Sequence, residues 1–409
     1  MNKLSVVYEG WGERWKLGTI ADNGREILFE YSDDALAQAL ELSPRHLRLG
    51  RKAYGEFPAY LHHLPGLLED CLPDGWGMLL MDRMFRRRGF DSVRISPLDR
   101  LAFIGSRAVG ALSFMPDTGE VLSPRDLTLL SVANEVREVM TGDNSGILEE
   151  LAYLGGSPQG ARPKVLVYYD PASNRVGTGA FEGGEPWMIK FPGELEHKEV
   201  CEVEFLYSEF ARLAGQETPI TRHFDLGPNL AAFGIARFDV KNDMRVPVHT
   251  LAGFLHANFR IPSSVDYTTF MRATRMLTRD EREVEKAYER AVFNVLFNNR
   301  DDHGKNFSYI LDVDRNWKLA PCYDLTFSEG PGGEHHMDVC GYGKEITRAH
   351  LLTLARQGGV SPTEANRTID RMLDVSEAVE PLISRSTIRE ATRKQIIRAI
   401  SGNRRLLIR

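Results

Sequence analysis

Residues 281–297 carry Val284, Ala287, Tyr288, Ala291, Val292 and Val295 at helical spacing. The run then breaks into a polar segment, Asn298-Asn299-Arg300-Asp301-Asp302-His303-Gly304-Lys305-Asn306. Behind it, 307–312 and 317–320 read as a hairpin about Asp314-Arg315-Asn316, followed by APCYDL at 320–325. The polar segment thus interrupts two apolar elements. Such turns are where chemistry tends to sit. A plain helix-to-strand turn is the alternative, because Asn, Asp and Gly are ordinary turn residues.

The spacing favours chemistry. Phosphoryl transfer needs a carboxylate to orient and deprotonate the attacking hydroxyl, and oxygen ligands for Mg²⁺ from an Asn amide and a second carboxylate. In protein kinases the base and the metal-binding Asn are five residues apart, and a hairpin separates them from the metal-binding Asp. Asp301 and Asn306 have that spacing, and Asp324 follows the hairpin. Asp302, a second acid beside Asp301, is an alternative base.

Upstream elements come in a compatible order. GGSPQGARPK (155–164) is a Gly- and Pro-rich loop entering the strand 165–169. A short strand PWMIKF carries Lys190, and a helix over 198–214 carries Glu202 and Glu204, candidates to hold that lysine. Gly215 is its expected C-cap. The loop is neither G-x-G-x-x-G nor a Walker motif, since no GKS or GKT is present. A surface lysine on an edge strand and solvated glutamates are the alternatives here.

GGSPQGARPK, WMIKFPG, FGIARFDV, FNNRDDHGKNFSYI and LAPCYDL, with LPDGWG (72–77) upstream, resemble the HipA family, and the resemblance spans nearly the whole chain. Its members are serine/threonine kinases that act as toxins of bacterial toxin–antitoxin pairs. The resemblance implies an α+β, bilobal protein-kinase-like fold, with a mixed N-terminal lobe and a mostly helical C-terminal lobe. It implies ATP and Mg²⁺ as cofactors, Asp301 as base, and Asn306 and Asp324 as magnesium ligands. Lys190 corresponds to the nucleotide lysine. Pro158, Gln159, Gly160, Ala161, Arg162, Pro163 and Lys164 correspond to the phosphate loop, and Ser157 to its autophosphorylated serine. Ala236, Arg237 and Phe238 fall at the adenine hinge, and His303 and Tyr323 join the nucleotide-side set. The partners implied are a HipB-like DNA-binding antitoxin, with DNA reached only through it, and a protein substrate such as an aminoacyl-tRNA synthetase.

The expected organisation is a β-rich subdomain over 1–110, the rest of the N-terminal lobe over 111–240, and a helical lobe over 241–409. Strands at 4–8, 15–20 and 26–31 are expected at the start, with an Asn23-Gly24 hairpin turn. A helix carrying Met78, Leu79, Met81, Met84 and Phe85 should follow Pro73-Asp74-Gly75.

Composition limits the alternatives. A net charge of −6, from 51 Lys+Arg against 57 Asp+Glu, disfavours a protein built wholly to coat nucleic acid. Four scattered cysteines fit a reducing compartment. The first residues lack an apolar leader and no run is long enough to span a bilayer, so the cytoplasm is the expected location, away from membranes. A metal-dependent phosphohydrolase using Asp301, Asp302 and His303 with His335-His336 is a competing reading, although the histidine pair is expected in a mobile loop and His303 as an anchor of the polar turn. A binding module for the antitoxin–DNA complex is another, resting on the basic segment 385–409. Its plain alternative is a terminal helix whose Ile388, Ile396, Ile397 and Ile400 pack on the core. Gly155-Gly156-Ser157-Pro158-Gln159 lacks the last glycine of a serine-hydrolase elbow.

Overall fold

The computed structural model describes residues 1–91, 95–119, 123–141, 148–155 and 158–408. Two compact units divide the chain: Met1–Cys201 with Ile220–His249, and Glu202–Pro219 with Thr250–Arg409. The fold is α+β with antiparallel sheets.

The first unit holds two sheets. In the five-stranded one, Lys3–Tyr8 lies between Trp15–Asp22 and Leu112–Met115, and Ile27–Tyr31 and Ala53–Tyr54 complete it. Leu4, Val6 and Tyr8 alternate inward, as the two-residue period of a half-buried strand requires. At the Asn23-Gly24 turn, Gly24 takes φ +84 and the Asn23 side chain accepts from the Arg25 N–H at 2.9 Å. In the six-stranded sheet, Glu185–Lys190 lies between Lys164–Tyr169 and Leu230–Ala236.

Arg245 joins the later part of this unit to the earlier. Its guanidinium reaches Glu9 Oε2 (3.0 Å), Ser113 Oγ (2.7 Å) and the carbonyls of Ala108 (2.9 Å), Gly110 (2.7 Å) and Leu112 (2.7 Å). A planar fork with five donors suits such a convergence of acceptors. The helix after Pro73-Asp74 runs Gly75–Arg87. Its inner face is Trp76, Leu80, Met81, Met84 and Phe85, whereas Met78 and Leu79 are only half-buried.

In the second unit, Glu281–Phe297 is the central helix. Asp280 caps its start, two acids occupy its first turn, and Asn298 in the left-handed region (φ 57) closes it. All six of its expected inward positions are buried. The Tyr207 hydroxyl donates to the Phe297 carbonyl at 2.6 Å, and Phe210 packs on Phe297. These contacts explain why most of the helix Glu199–Leu213, which reads from sequence as part of the preceding lobe, packs in this unit. Gly215 adopts φ +74 behind it. The hairpin strands are Ser308–Leu311 and Trp317–Leu319. The Asp312 carboxylate accepts from the N–H groups of Asp314 and Asn316, closing the turn. Helix Glu390–Ile408 buries Ile396, Ile400 and Leu407, while Ile397 is half-buried.

No helix among the described residues is long and apolar enough to cross a membrane.

Candidate active site

The polar turn is anchored at Asn299 and Asp302 with Asp301 left outside. Asn299 donates to Asn294 Oδ1 (2.9 Å), Asn294 donates to the Tyr267 hydroxyl (2.9 Å), and Tyr267 donates to Asp302 Oδ2 (2.6 Å). The same Asp302 carboxylate meets His335 Nδ1 at 2.8 Å and accepts from the His336 N–H at 2.7 Å. Asp302 and His335 are both fully buried. Burial opposes charge on Asp302, but His335, Tyr267 and the His336 N–H outweigh it and hold the carboxyl below its ordinary range. Its lone pairs are thus committed to internal partners.

Asp301 is the opposite case. Its side chain is 54% exposed and makes no hydrogen bond among the described residues, with His303 Nε2 3.8 Å away. One residue apart, the two acids divide into an internal anchor and an exposed carboxylate, and of the two only Asp301 is open to a substrate hydroxyl. His303 packs against Phe259 and His336, and its Nδ1 accepts from the Lys305 N–H at 3.3 Å. Burial and neighbouring His303 hold the His336 imidazole below its ordinary value. His335 lies in an irregular segment between regular elements, where the pair is expected, and is 3% exposed and bonded to Asp302.

Asn306 is joined directly to Asp301, since its amide nitrogen donates to the Asp301 carbonyl at 2.7 Å. That bond orients the amide and leaves Oδ1 as the oxygen that could face a metal ion. Asp324 arrives on the far side of the hairpin with φ +56, a left-handed conformation uncommon outside glycine and frequent at functional positions. Its neighbour Tyr323 places its hydroxyl 2.8 Å from the Lys305 carbonyl and 2.6 Å from Ser308 Oγ, so it braces the segment. An amide oxygen and a carboxylate form a hard donor set, which fits Mg²⁺ held jointly with substrate phosphates. Among the described residues, no group of three or more His, Cys, Asp and Glu is placed to hold a metal ion alone. The partners of Asp302 and His335 also remove both from a hydrolase-type cluster.

The first unit carries the remaining candidates. Ser157 lies outside the described residues. Gln159 donates to the Asp70 and Leu72 carbonyls at 3.0 and 3.3 Å. The Gly160 N–H donates to Asp74 Oδ1, and the Trp76 indole donates to the Lys164 carbonyl at 3.1 Å. A Cβ at Gly75 would lie 2.6 Å from Ala161 Cα, so the loop rests on bare backbone there. LPDGWG is therefore a cradle for the loop 158–164, a role that its sequence did not reveal. Arg162 forms a bidentate pair with Glu196, and the buried Lys164 ammonium donates to the Gln159 carbonyl. Pro163 is buried and its carbonyl accepts from the Phe191 N–H.

Lys190 is 6% exposed on a central strand, opposite Lys164 on one side and Phe233 on the other, with its ammonium 5.6 Å over the Phe233 ring. It is not an edge lysine. Glu202, one of its two expected holders, instead accepts from the Thr387 N–H at 2.8 Å and from its hydroxyl. Ala236 ends a strand and donates to the Ile220 carbonyl, and the Arg237 N–H donates to the Pro186 carbonyl. The Arg237 guanidinium grips Asp239 at 2.9 and 2.7 Å, outweighing burial to hold that carboxyl below its ordinary range. Phe238 between them is half-buried.

The family model described as HipA N-terminal domain matches residues 8–115, and the one described as HipA-like C-terminal domain matches residues 156–379. A Sinorhizobium fredii protein named "Putative kinase Y4mE" is 26% identical over 341 residues, which cover 76% of this chain and 78% of that one. Among solved structures, the chain is similar in fold to one from a Shewanella oneidensis MR-1 complex of HipA, HipB and operator DNA, with a TM-score of 0.72, 16% identity, and coverage of 98% and 97% of the two chains. With its C-terminal match alone spanning more than half of its residues, the chain belongs to the HipA family.

Proposed function

We propose that the chain is an ATP-dependent serine/threonine protein kinase of the HipA toxin type. The observation that carries this reading is the division of labour in the polar turn: Asp302 is saturated by internal donors, while Asp301 is exposed and bonded through its carbonyl to Asn306. An acceptor hydroxyl meeting Asp301 gives up its proton to that carboxylate as its oxygen bonds to the γ-phosphorus, and the bond to the bridging oxygen of ADP breaks. Asn306 and Asp324 would hold Mg²⁺, which would offset the phosphate charge. The buried Lys190 supplies the cation for the nucleotide phosphates, with loop 158–164 beside it in the sheet order.

The partners follow the same reading. The Shewanella HipA was solved with HipB and operator DNA, which supports a HipB-like antitoxin here and contact with DNA through it. The substrate is a protein hydroxyl, in translation machinery such as an aminoacyl-tRNA synthetase, and Ser157 is the proposed site of self-phosphorylation.

The test is transfer of labelled γ-phosphate from Mg-ATP to protein, with phosphoamino-acid analysis and mapping of Ser157. Transfer to serine or threonine by the wild type, and its loss in Asp301→Asn with nucleotide binding retained, are expected. Full transfer by Asp301→Asn would overturn the assignment.

A further inference from the structure

Within the second unit, an open groove of about 1090 Å³ begins at Arg300, the residue immediately before Asp301. One wall is a face of helix 390–408 presenting Lys394, Arg398 and Arg405, and Lys344 stands among the lining residues. The spacing of 394, 398 and 405 sets these cations on one stripe. The helix cannot roll to bury them, because Ile396, Ile400 and Leu407 are buried on its other side. Asn403 fixes it further by donating to the Val295 carbonyl at 2.9 Å and to Asn298 Oδ1 at 3.3 Å, where the central helix enters the polar turn.

The groove has surplus positive charge. Five cations line it against two acids, Glu329 and Glu345. Lys344 pairs with Glu334, Lys394 pairs with Glu390, and Glu329 accepts from Gln395. Arg398 and Arg405 are exposed and have neither ion pair nor hydrogen bond among the described residues. The Arg300 Nε is buried without a hydrogen-bond partner, although its NH1 donates to the Glu329 and Gly333 carbonyls. Unpaired guanidiniums present planar forks that match carboxylates.

We infer that this groove docks an acidic segment of the protein whose hydroxyl is phosphorylated, with Arg398 and Arg405 as the principal anchors. The inference rests on the kinase reading and names the chemistry of its substrate. A polypeptide fits better than nucleic acid on two counts. A duplex partner commonly draws on about 6–10 phosphate contacts, and among the described residues only two guanidiniums of the lining lack a partner. Glu329 and Glu345 in the lining would repel a continuous phosphate backbone, whereas an extended peptide can alternate its acids with small residues past Ala391 and Ala399.

The test uses the full chain and fluorescein-labelled serine peptides, one flanked by glutamates and one by glutamines, followed by anisotropy without nucleotide. The wild type should bind the acidic peptide, more weakly as salt rises, and Asp301→Asn should bind it equally. The double variant Arg398→Glu/Arg405→Glu, whose fold is checked by circular dichroism, should bind it about tenfold or more weakly. Equal binding of the glutamine peptide, or undiminished binding by the double variant, would overturn the inference. So would a DNA duplex that binds more tightly than the acidic peptide and is lost in the double variant. Acidic-peptide binding that depends on both arginines while phosphate transfer fails in every assay would uphold the groove and sink the kinase reading instead.

Discussion

The Tyr323 hydroxyl and the Lys305 carbonyl lie 2.8 Å apart, so the residue before Asp324 is tied to the residue before Asn306. The two candidate magnesium ligands are thereby registered through their neighbours, across a hairpin whose own register pairs Tyr309 with Leu319. A bond between adjacent residues can hold two ligands in place without occupying either ligand.

Tyr323→Phe removes this tie while keeping the ring. The expected cost is about 1 kcal/mol of stability, the worth of an ordinary hydrogen bond, with a larger proportional loss in Mg²⁺-dependent nucleotide affinity. Thermal melts alongside nucleotide titrations with and without Mg²⁺ separate the two. An unchanged affinity beside a lowered melting temperature would show that the tie serves the fold alone.

The neighbouring acids should respond in opposite ways. Asp301→Asn should leave the melting temperature almost unchanged, because the side chain is exposed and makes no hydrogen bond among the described residues. Asp302→Ala should cost about 3–5 kcal/mol, since it leaves Tyr267 and His335 facing a hole where a buried anion stood. Denaturant midpoints of the two variants, measured side by side, check this.

Acid should act through Asp302. Its carboxyl titrates lower in the folded chain than in the unfolded one, so the folded state favours the anion. The stability it contributes is fully present above the unfolded value of about pH 4 and is lost as pH falls through the lower folded value. Urea midpoints between neutral and strongly acidic pH should decline more steeply for the wild type than for Asp302→Asn. Parallel curves would show that Asp302 does not set the acid limb.

Gly75→Ala should disturb the loop from outside. The added methyl meets the Ala161 backbone at 2.6 Å, and Gly75 has φ +35. Overpacking against backbone costs about 1–3 kcal/mol. The nucleotide affinity should fall as well, with the melt and a nucleotide titration as readouts. An affinity equal to the wild type would separate the cradle from the phosphate loop.

Local pattern made much of this legible. The central helix, the hairpin and the strands around Lys190 follow from apolar periodicity, and the polar interruption at 298–306 stood out because it broke that periodicity. What stayed hidden were pairings between distant residues. Nothing near Asp302 says that Tyr267 and His335, 35 and 33 positions away, will saturate it. The His335-His336 pair sits among glycines and reads as loop, yet burial of one carboxylate draws His335 inside. Glu202 has the helix position expected of a lysine's partner, and its engagement with Thr387, 185 residues on, is invisible to spacing. The cradle of the loop is likewise a contact across 86 residues, from Gly160 to Asp74.

That cradle bears on how such chains can be recombined. The two family matches, 8–115 and 156–379, look like separable cassettes. Yet Asp74 and Trp76 from the first hold the loop of the second, and Arg245 from the second is gripped by Glu9 and Ser113 of the first. A chimera joining the front of one relative to the back of another would inherit mismatched halves of both contacts. Swaps between lineages should succeed only when the 72–77 turn travels with its loop and Arg245 with its acceptors, which makes the two cassettes one unit of inheritance.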